Sequence, residues 1–523
     1  MKSIILSGLV LILIASQLNA QIQQIDVLHY KIDLSVTDFS DTIRVTEDVG
    51  FKHTDTQKPM VLNLASLRKD GKGMKVEKLF LNGIETPFLH QNDSLYIYEN
   101  KATSDDYYEL KLTFKGVPID GLVIGENKHG MRTFFGDNWP NRAHNWFACN
   151  DHLSDKASVE YMVHVPQQYT VVANGGLISV KKKRKIKTFH YFSMVPIPTK
   201  VMVVGIAKME LEISGSVEGL LIQSFVYPES RKEAFYDLRV APKILNFYID
   251  YIAPYEFEKL DNVQSTTRFG GMENAGCIFY DEEALNGTLS AENLIAHEIA
   301  HQWFGNSATE KDWPHLWLSE GFATYLTNIY VQSTKGDEAF KEQLRQDRAR
   351  VVRFEKKYQH PVVDFNYESL MDLLNPNSYQ KGSWVLHMLR VEVGDELFQK
   401  CIQAYYEQYK RSNADTKDLQ KIVEEICDKD LDWFFNQWLY RSGHPKLNIA
   451  AETDDRKLSL NIQQREGVYT FPLKVAIVCT NGATYERFIN ISQKNTTKDI
   501  VSSYPIKSFV IDPDVDLLFE RVK

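Results

Sequence analysis

A chain of 523 residues with 43% hydrophobic and 25% charged residues has the make-up of an ordinary globular protein of roughly two to four domains; a disordered, collagenous or coiled-coil chain is excluded. The net charge of −9 argues against a nucleic-acid partner, which would need a clustered basic excess. After the first twenty residues no stretch approaches about 18 consecutive apolar residues, so no transmembrane span is expected in the mature chain.

The chain opens on Met1-Lys2, an apolar run from Ile4 to Ala15, and a small residue, Ala20, at a cleavage position. A short positive segment, an apolar core and a small residue predict a signal peptide over 1–20, and hence export to periplasm or medium. Residues 21–215 read as an N-terminal antiparallel β domain. Ile43 to Val49, Leu95 to Tyr98, Glu109 to Phe114 and Val159 to Val165 alternate apolar and polar residues between turns rich in Asp, Gly and Asn.

Over 216–442 the period becomes helical. Ala234 to Tyr251, Ala291 to Gly305, Gly321 to Thr334, Ala339 to Phe354, Lys381 to Val393, Glu396 to Tyr409 and Lys417 to Cys427 carry i, i+3, i+4 apolar spacing. Gly443 and Pro445 stop the last helical segment. From 443 to 523 alternation returns, with Asn481-Gly482 as a turn, which predicts a small C-terminal β-sandwich. The expected fold is multi-domain, with both α and β parts. Five cysteines are too few for a disulfide scaffold; Cys401 and Cys427 could pair, but buried free thiols are the expectation.

The chemistry lies in Ala296-His297-Glu298-Ile299-Ala300-His301. Four residues apart on a helix, His297 and His301 share a face and can present two imidazoles to one cation. Glu298 lies next to that cation without facing it, where it can serve as a base. Ser290 is the expected N-cap and Gly305 the expected stop. Glu320 follows His301 after eighteen intervening residues, enough for a helix end, a loop and a second helix packed back. Two His and one Glu, with a fourth position left for water, is the catalytic zinc arrangement, one ion per chain. Upstream stands Gly270-Gly271-Met272-Glu273-Asn274, which alone would read as a tight turn.

Together these strings resemble the zinc aminopeptidases of the aminopeptidase N type, a family that includes leukotriene hydrolase. Tyr379 in Tyr379-Gln-Lys-Gly382 adds to the likeness, as does a looser match from Trp146-Phe-Ala-Cys-Asn-Asp151 to Lys156-Ala157. The resemblance covers Gln21 to about Arg441. It implies a thermolysin-like zinc catalytic domain and peptide substrates with a free N-terminus. Glu273 would bind the substrate's α-ammonium beside Gly270 and Gly271, Tyr379 would stabilise the oxyanion, and Glu298 would act as the base.

Two departures stand out. The family's second amine-binding residue falls on Trp139 here, with Asp137 and Asn138 as candidate replacements. The sequence also stops after the β-sandwich, where larger relatives continue with a helical domain; the far end of a substrate is therefore expected to meet solvent. Two rival readings are a zinc endopeptidase and a non-catalytic binding protein on the same fold. The Glu273 setting opposes the first, and the intact His297, Glu298, His301, Glu320 and Tyr379 set opposes the second.

Overall fold

The computed structural model describes residues 25–55, 58–98 and 107–523. The leader reading of 1–20 lies outside them. The described residues form two compact units, those from 25 to 311 with 409–413, and residues 312–408 with 414–523.

The first unit begins with an eight-stranded sheet, in the order Gly176–Lys183, Ile186–Pro198, Lys156–Pro166, Ile25–Thr37, Ser40–His53, Tyr107–Val117, Gly73–Leu81, Ile84–Glu85. Strand Ile25–Thr37 shows why the alternation was readable: Val27, Tyr30, Ile32 and Leu34 are buried while the residues between them face outward. The sheet is antiparallel except for one pair. Ile25–Thr37 runs parallel to Lys156–Pro166, with His29 opposite Ser158. A strand recruited from more than a hundred residues away need not return antiparallel, as a hairpin partner must.

The same unit holds a five-stranded mixed sheet, ordered Glu210–Val217, Leu220–Val226, Leu260–Ser265, Cys277–Asp281, Gly271–Met272. Its three central strands are parallel. Leu260–Ser265 is buried throughout although its sequence reads Leu-Asp-Asn-Val-Gln-Ser. Partners make this tolerable: Asn262 accepts from the Tyr280 hydroxyl (3.1 Å) and Gln264 from the Tyr227 amide (3.1 Å). Local periodicity has no way to register such pairings, so this strand is absent from the sequence reading.

Among the described residues, the α-helices of this unit are α1 (Arg231–Leu238), α2 (Ala241–Tyr251) and α3 (Glu292–Ala300). One helix was expected over 234–251. The chain instead breaks after Leu238 and restarts with Pro242 in the first turn of α2, where its missing N–H costs nothing.

The second unit contains α4 (Trp317–Lys335), α5 (Asp337–Glu355), α6 (Gly382–Val393), α7 (Asp395–Tyr409), α8 (Thr416–Cys427) and the short α9 (Asp432–Phe435). A four-stranded and a three-stranded sheet follow, built from Lys446 onward. Leu447, Leu458, Leu460, Ile462, Leu473, Val475 and Ile477 are buried in this C-terminal β module. All five cysteines are free thiols. No helix among the described residues is long and apolar enough to cross a membrane.

Candidate metal centre and active site

Helix α3 carries His297 and Glu298, and His301 is its C-cap, still at φ −58°, ψ −21°, so the four-residue spacing keeps its helical geometry. Ser290 is not the cap. Ala291 holds that position, and the Ser290 hydroxyl bonds instead with Asn286 and Thr288. The entry loop is fixed from elsewhere: the Asp237 carboxylate on α1 accepts from the amides of Gly287 (2.8 Å) and Leu289 (2.7 Å).

Nε2 of His297 and Nε2 of His301 lie 3.1 Å apart. The other ring nitrogen of His301 is 3.0 Å from the Phe304 carbonyl, which can only accept, so the proton sits on Nδ1 and the Nε2 lone pair points at His297. An outer hydrogen bond of this kind fixes the tautomer that a metal ligand requires.

Glu320 lies buried in the first turn of α4. That helix is entered through a turn at Trp313–His315, whose first amide is capped by the Asp312 side chain (2.8 Å). His297 and His301 thus stand together as two nitrogen donors, and Glu320 is the carboxylate that the sequence reading assigns to the same ion. Two imidazoles and a carboxylate are the donor set that suits zinc.

Glu298 is buried against the Gly-Gly-Met-Glu-Asn segment. A Cβ at Gly271 would overlap the Glu298 carboxylate and come within 2.7 Å of its Cγ. At Gly270 the nearest atoms would be Leu294 methyls at 3.8 and 3.9 Å, an ordinary contact. Packing therefore demands glycine at 271 and not at 270.

Glu273 is buried, and two amides absent from the sequence reading hold its backbone carbonyl: Gln302 Nε2 (2.9 Å) and Asn306 Nδ2 (2.6 Å). Gln302 also accepts from the Gly276 amide (2.9 Å). The residues that follow His301 thus clamp the segment that carries Glu273. Lys156, from the looser sequence match, anchors the same stretch by donating to the carbonyls of Asn306 (3.1 Å) and Ser307 (2.5 Å). The sequence signal was available: two amide side chains in the five residues after the second histidine.

The two candidates beside Trp139 are already engaged. The Asn138 amide donates to the Thr199 carbonyl (3.0 Å) and to that of Met202, and its oxygen accepts from Trp146 Nε1 (2.8 Å). Asp137 pairs with Arg142 and accepts from the Arg268 amide (3.4 Å). Burial raises the Asp137 carboxyl above its ordinary range in spite of these partners.

Tyr379 sits in a π-helical turn, Asn377–Lys381, just before α6; the Lys381 amide reaches back to the Pro376 carbonyl (2.8 Å). Such turns recur at functional sites. Asn377, Ser378 and Lys381 are buried while Tyr379 is only half-buried.

A family model described as the peptidase family M1 domain matches residues 236–438. This stretch resembles an M1 domain. Aminopeptidase M1-A of Oryza sativa subsp. japonica is 28% identical over 490 residues, 87% of this chain and 55% of that protein. The probable aminopeptidase 1 of Sulfurisphaera tokodaii is 26% identical over 77% of this chain and 53% of its own length. The tricorn protease-interacting factor F2 of Thermoplasma acidophilum is 28% identical over 78% and 54%. The chain spans about half the length of these relatives. The matched stretch contains His297, Glu298, His301, Glu320 and Tyr379, and the likeness to the aminopeptidase N type read from those motifs holds.

Proposed function

We propose that the chain is an exported zinc aminopeptidase that removes the N-terminal residue of peptides. The observation that carries the reading is the pair His297 and His301, Nε2 to Nε2 at 3.1 Å, with the His301 tautomer fixed by the Phe304 carbonyl. His297, His301 and Glu320 would hold one zinc ion, and bound zinc would supply the Lewis acidity that makes water a nucleophile near neutral pH. Glu298, fixed against Gly271, takes the proton of the attacking water and returns it to the leaving amine. The Tyr379 hydroxyl donates to the carbonyl oxygen as negative charge develops there. Glu273 receives the substrate's α-ammonium, with the backbone at Gly270 and Gly271 beside it, and so sets the register one residue in. Export rests on the pattern of residues 1–20.

The test compares a free-amine peptide with its N-acetylated form, each with and without a chelator. The reading expects turnover of the free peptide only, abolished by the chelator and restored by zinc. Equal cleavage of the acetylated peptide would make the enzyme an endopeptidase; no cleavage of either by zinc-replete protein would make it a binding protein.

A further inference from the structure

Lys381, two residues after Tyr379, is fully buried and ion-paired with the equally buried Glu355 at the end of α5 (2.7 Å). Its ammonium also donates to the Gly443 carbonyl (2.8 Å). Glu355 is engaged on its other oxygen by Nδ1 of His444, itself buried, and His444 Nε2 lies 3.7 Å from Glu520 in the last strand. Burial alone would raise the Glu355 carboxyl; Lys381 and His444 outweigh it and hold the group below the usual carboxylate range.

A buried ionic group is an expensive way to stabilise a fold, since apolar side chains of similar volume often do as well or better. What it adds is direction, because a charged network permits one arrangement of its members. Here the arrangement fixes a turn. The buried members of the π-turn are each tied down: Asn377 Nδ2 to the His360 carbonyl (2.7 Å), Ser378 Oγ to the Leu373 carbonyl (2.7 Å), and Lys381 to Glu355 and Gly443. Tyr379 is left on the more open side. Below the turn, α4 and α6 meet backbone to backbone at Gly321 and Gly382, where a Cβ on either glycine would sit 3.0–3.1 Å from the other's backbone. The turn therefore cannot slide along α4 without breaking the Lys381 network.

We infer that Lys381, held by Glu355 and His444 at the root of the C-terminal β module, is a positioning residue that aims the Tyr379 hydroxyl. The inference rests on the proposed oxyanion role of Tyr379. It assigns that module a part in catalysis: where the chain enters it, the Gly443 carbonyl holds Lys381 directly and His444 holds it through Glu355.

A double-mutant cycle on the zinc-loaded full chain tests this, using Tyr379→Phe, Lys381→Met and the pair, with kcat, KM, zinc content and thermal midpoint measured for each. Lys381→Met should lower kcat about 10-fold or more, leave KM within about 3-fold and keep the zinc, yet cost less than about 2-fold more when Tyr379 is already Phe. Should Lys381→Met fail to fold, His444→Asn enters the same cycle with the same expectation. An equal loss in both backgrounds, or a lower thermal midpoint with kcat unchanged, overturns the inference while the Tyr379 reading stands. An unchanged kcat in Tyr379→Phe alone removes the oxyanion role and the inference with it.

Discussion

His297 and His301 face each other through their Nε2 atoms at 3.1 Å, and the Phe304 carbonyl holds the second ring so that its lone pair faces inward. A cation that takes both lone pairs removes the need for one ring to donate to the other, and Glu320, in the first turn of α4, is the third ligand of the proposed site. Metal analysis should find about one zinc per chain, and zinc should raise the thermal midpoint of the chelated protein because it binds only the folded state. Glu320→Ala should lose most of the zinc at micromolar protein. Full metal retention by that variant would remove Glu320 from the ligand set.

Glu298 is not a ligand in this scheme, so Glu298→Gln should keep the metal and lose about 10²-fold or more in kcat through loss of the base. Tyr379→Phe should lower kcat by about 10²–10³ with little change in KM, since its hydroxyl is needed as the oxyanion forms. A change confined to KM would place Tyr379 in ground-state binding instead.

Gly271 and Gly270 should part company under the same substitution. Gly271→Ala drives a methyl into the Glu298 carboxylate, and displacing a reacting group by about 1 Å costs on the order of 10²-fold. Gly270→Ala meets only Leu294 methyls at contact distance and should change kcat by less than about 3-fold. Kinetics of the two variants, with zinc content measured alongside, separates the positions; equal losses would mean that the segment acts through its backbone at both.

How much of this was legible depended on the range over which each signal acts. His297, Glu298 and His301 lie within five residues, so spacing on a helix places them, and Glu320 is one loop and one turn further on. The alternating strands were visible because each has one wet face. The strand at 260–265 was not, because both faces are buried and its Asn262 and Gln264 find partners outside it. The Lys381 network was out of reach for the same kind of reason. Glu355 lies 26 residues before Lys381 and His444 lies 63 after it, and nothing local marks a lysine as buried. Ser290 misled because a good capping residue one position early still finds loop partners of its own.

The final prediction concerns acid. His387 on α6 is buried, accepts from the Tyr325 hydroxyl at Nδ1 (3.0 Å) and donates from Nε2 to the Val515 carbonyl (3.1 Å), so it is folded as the neutral ring. Burial, with Arg390 nearby, pushes its pKa down to about 3. An unfolded histidine titrates near 6.5, so between the two values the unfolded chain binds the extra proton and the folded one does not. The His387 contribution is therefore fully present above about pH 6.5 and is lost as pH falls, at about 1.4 kcal/mol per unit, until about pH 3. Carboxylates elsewhere also titrate in this range, so the quantity to read is a difference. Urea unfolding at pH 7.5, 6, 5 and 4 should show the parent losing stability more steeply than His387→Gln, which has no ring to protonate. Parallel slopes would mean that the ring is protonated in the folded state, and that the Tyr325 and Val515 contacts do not hold it neutral.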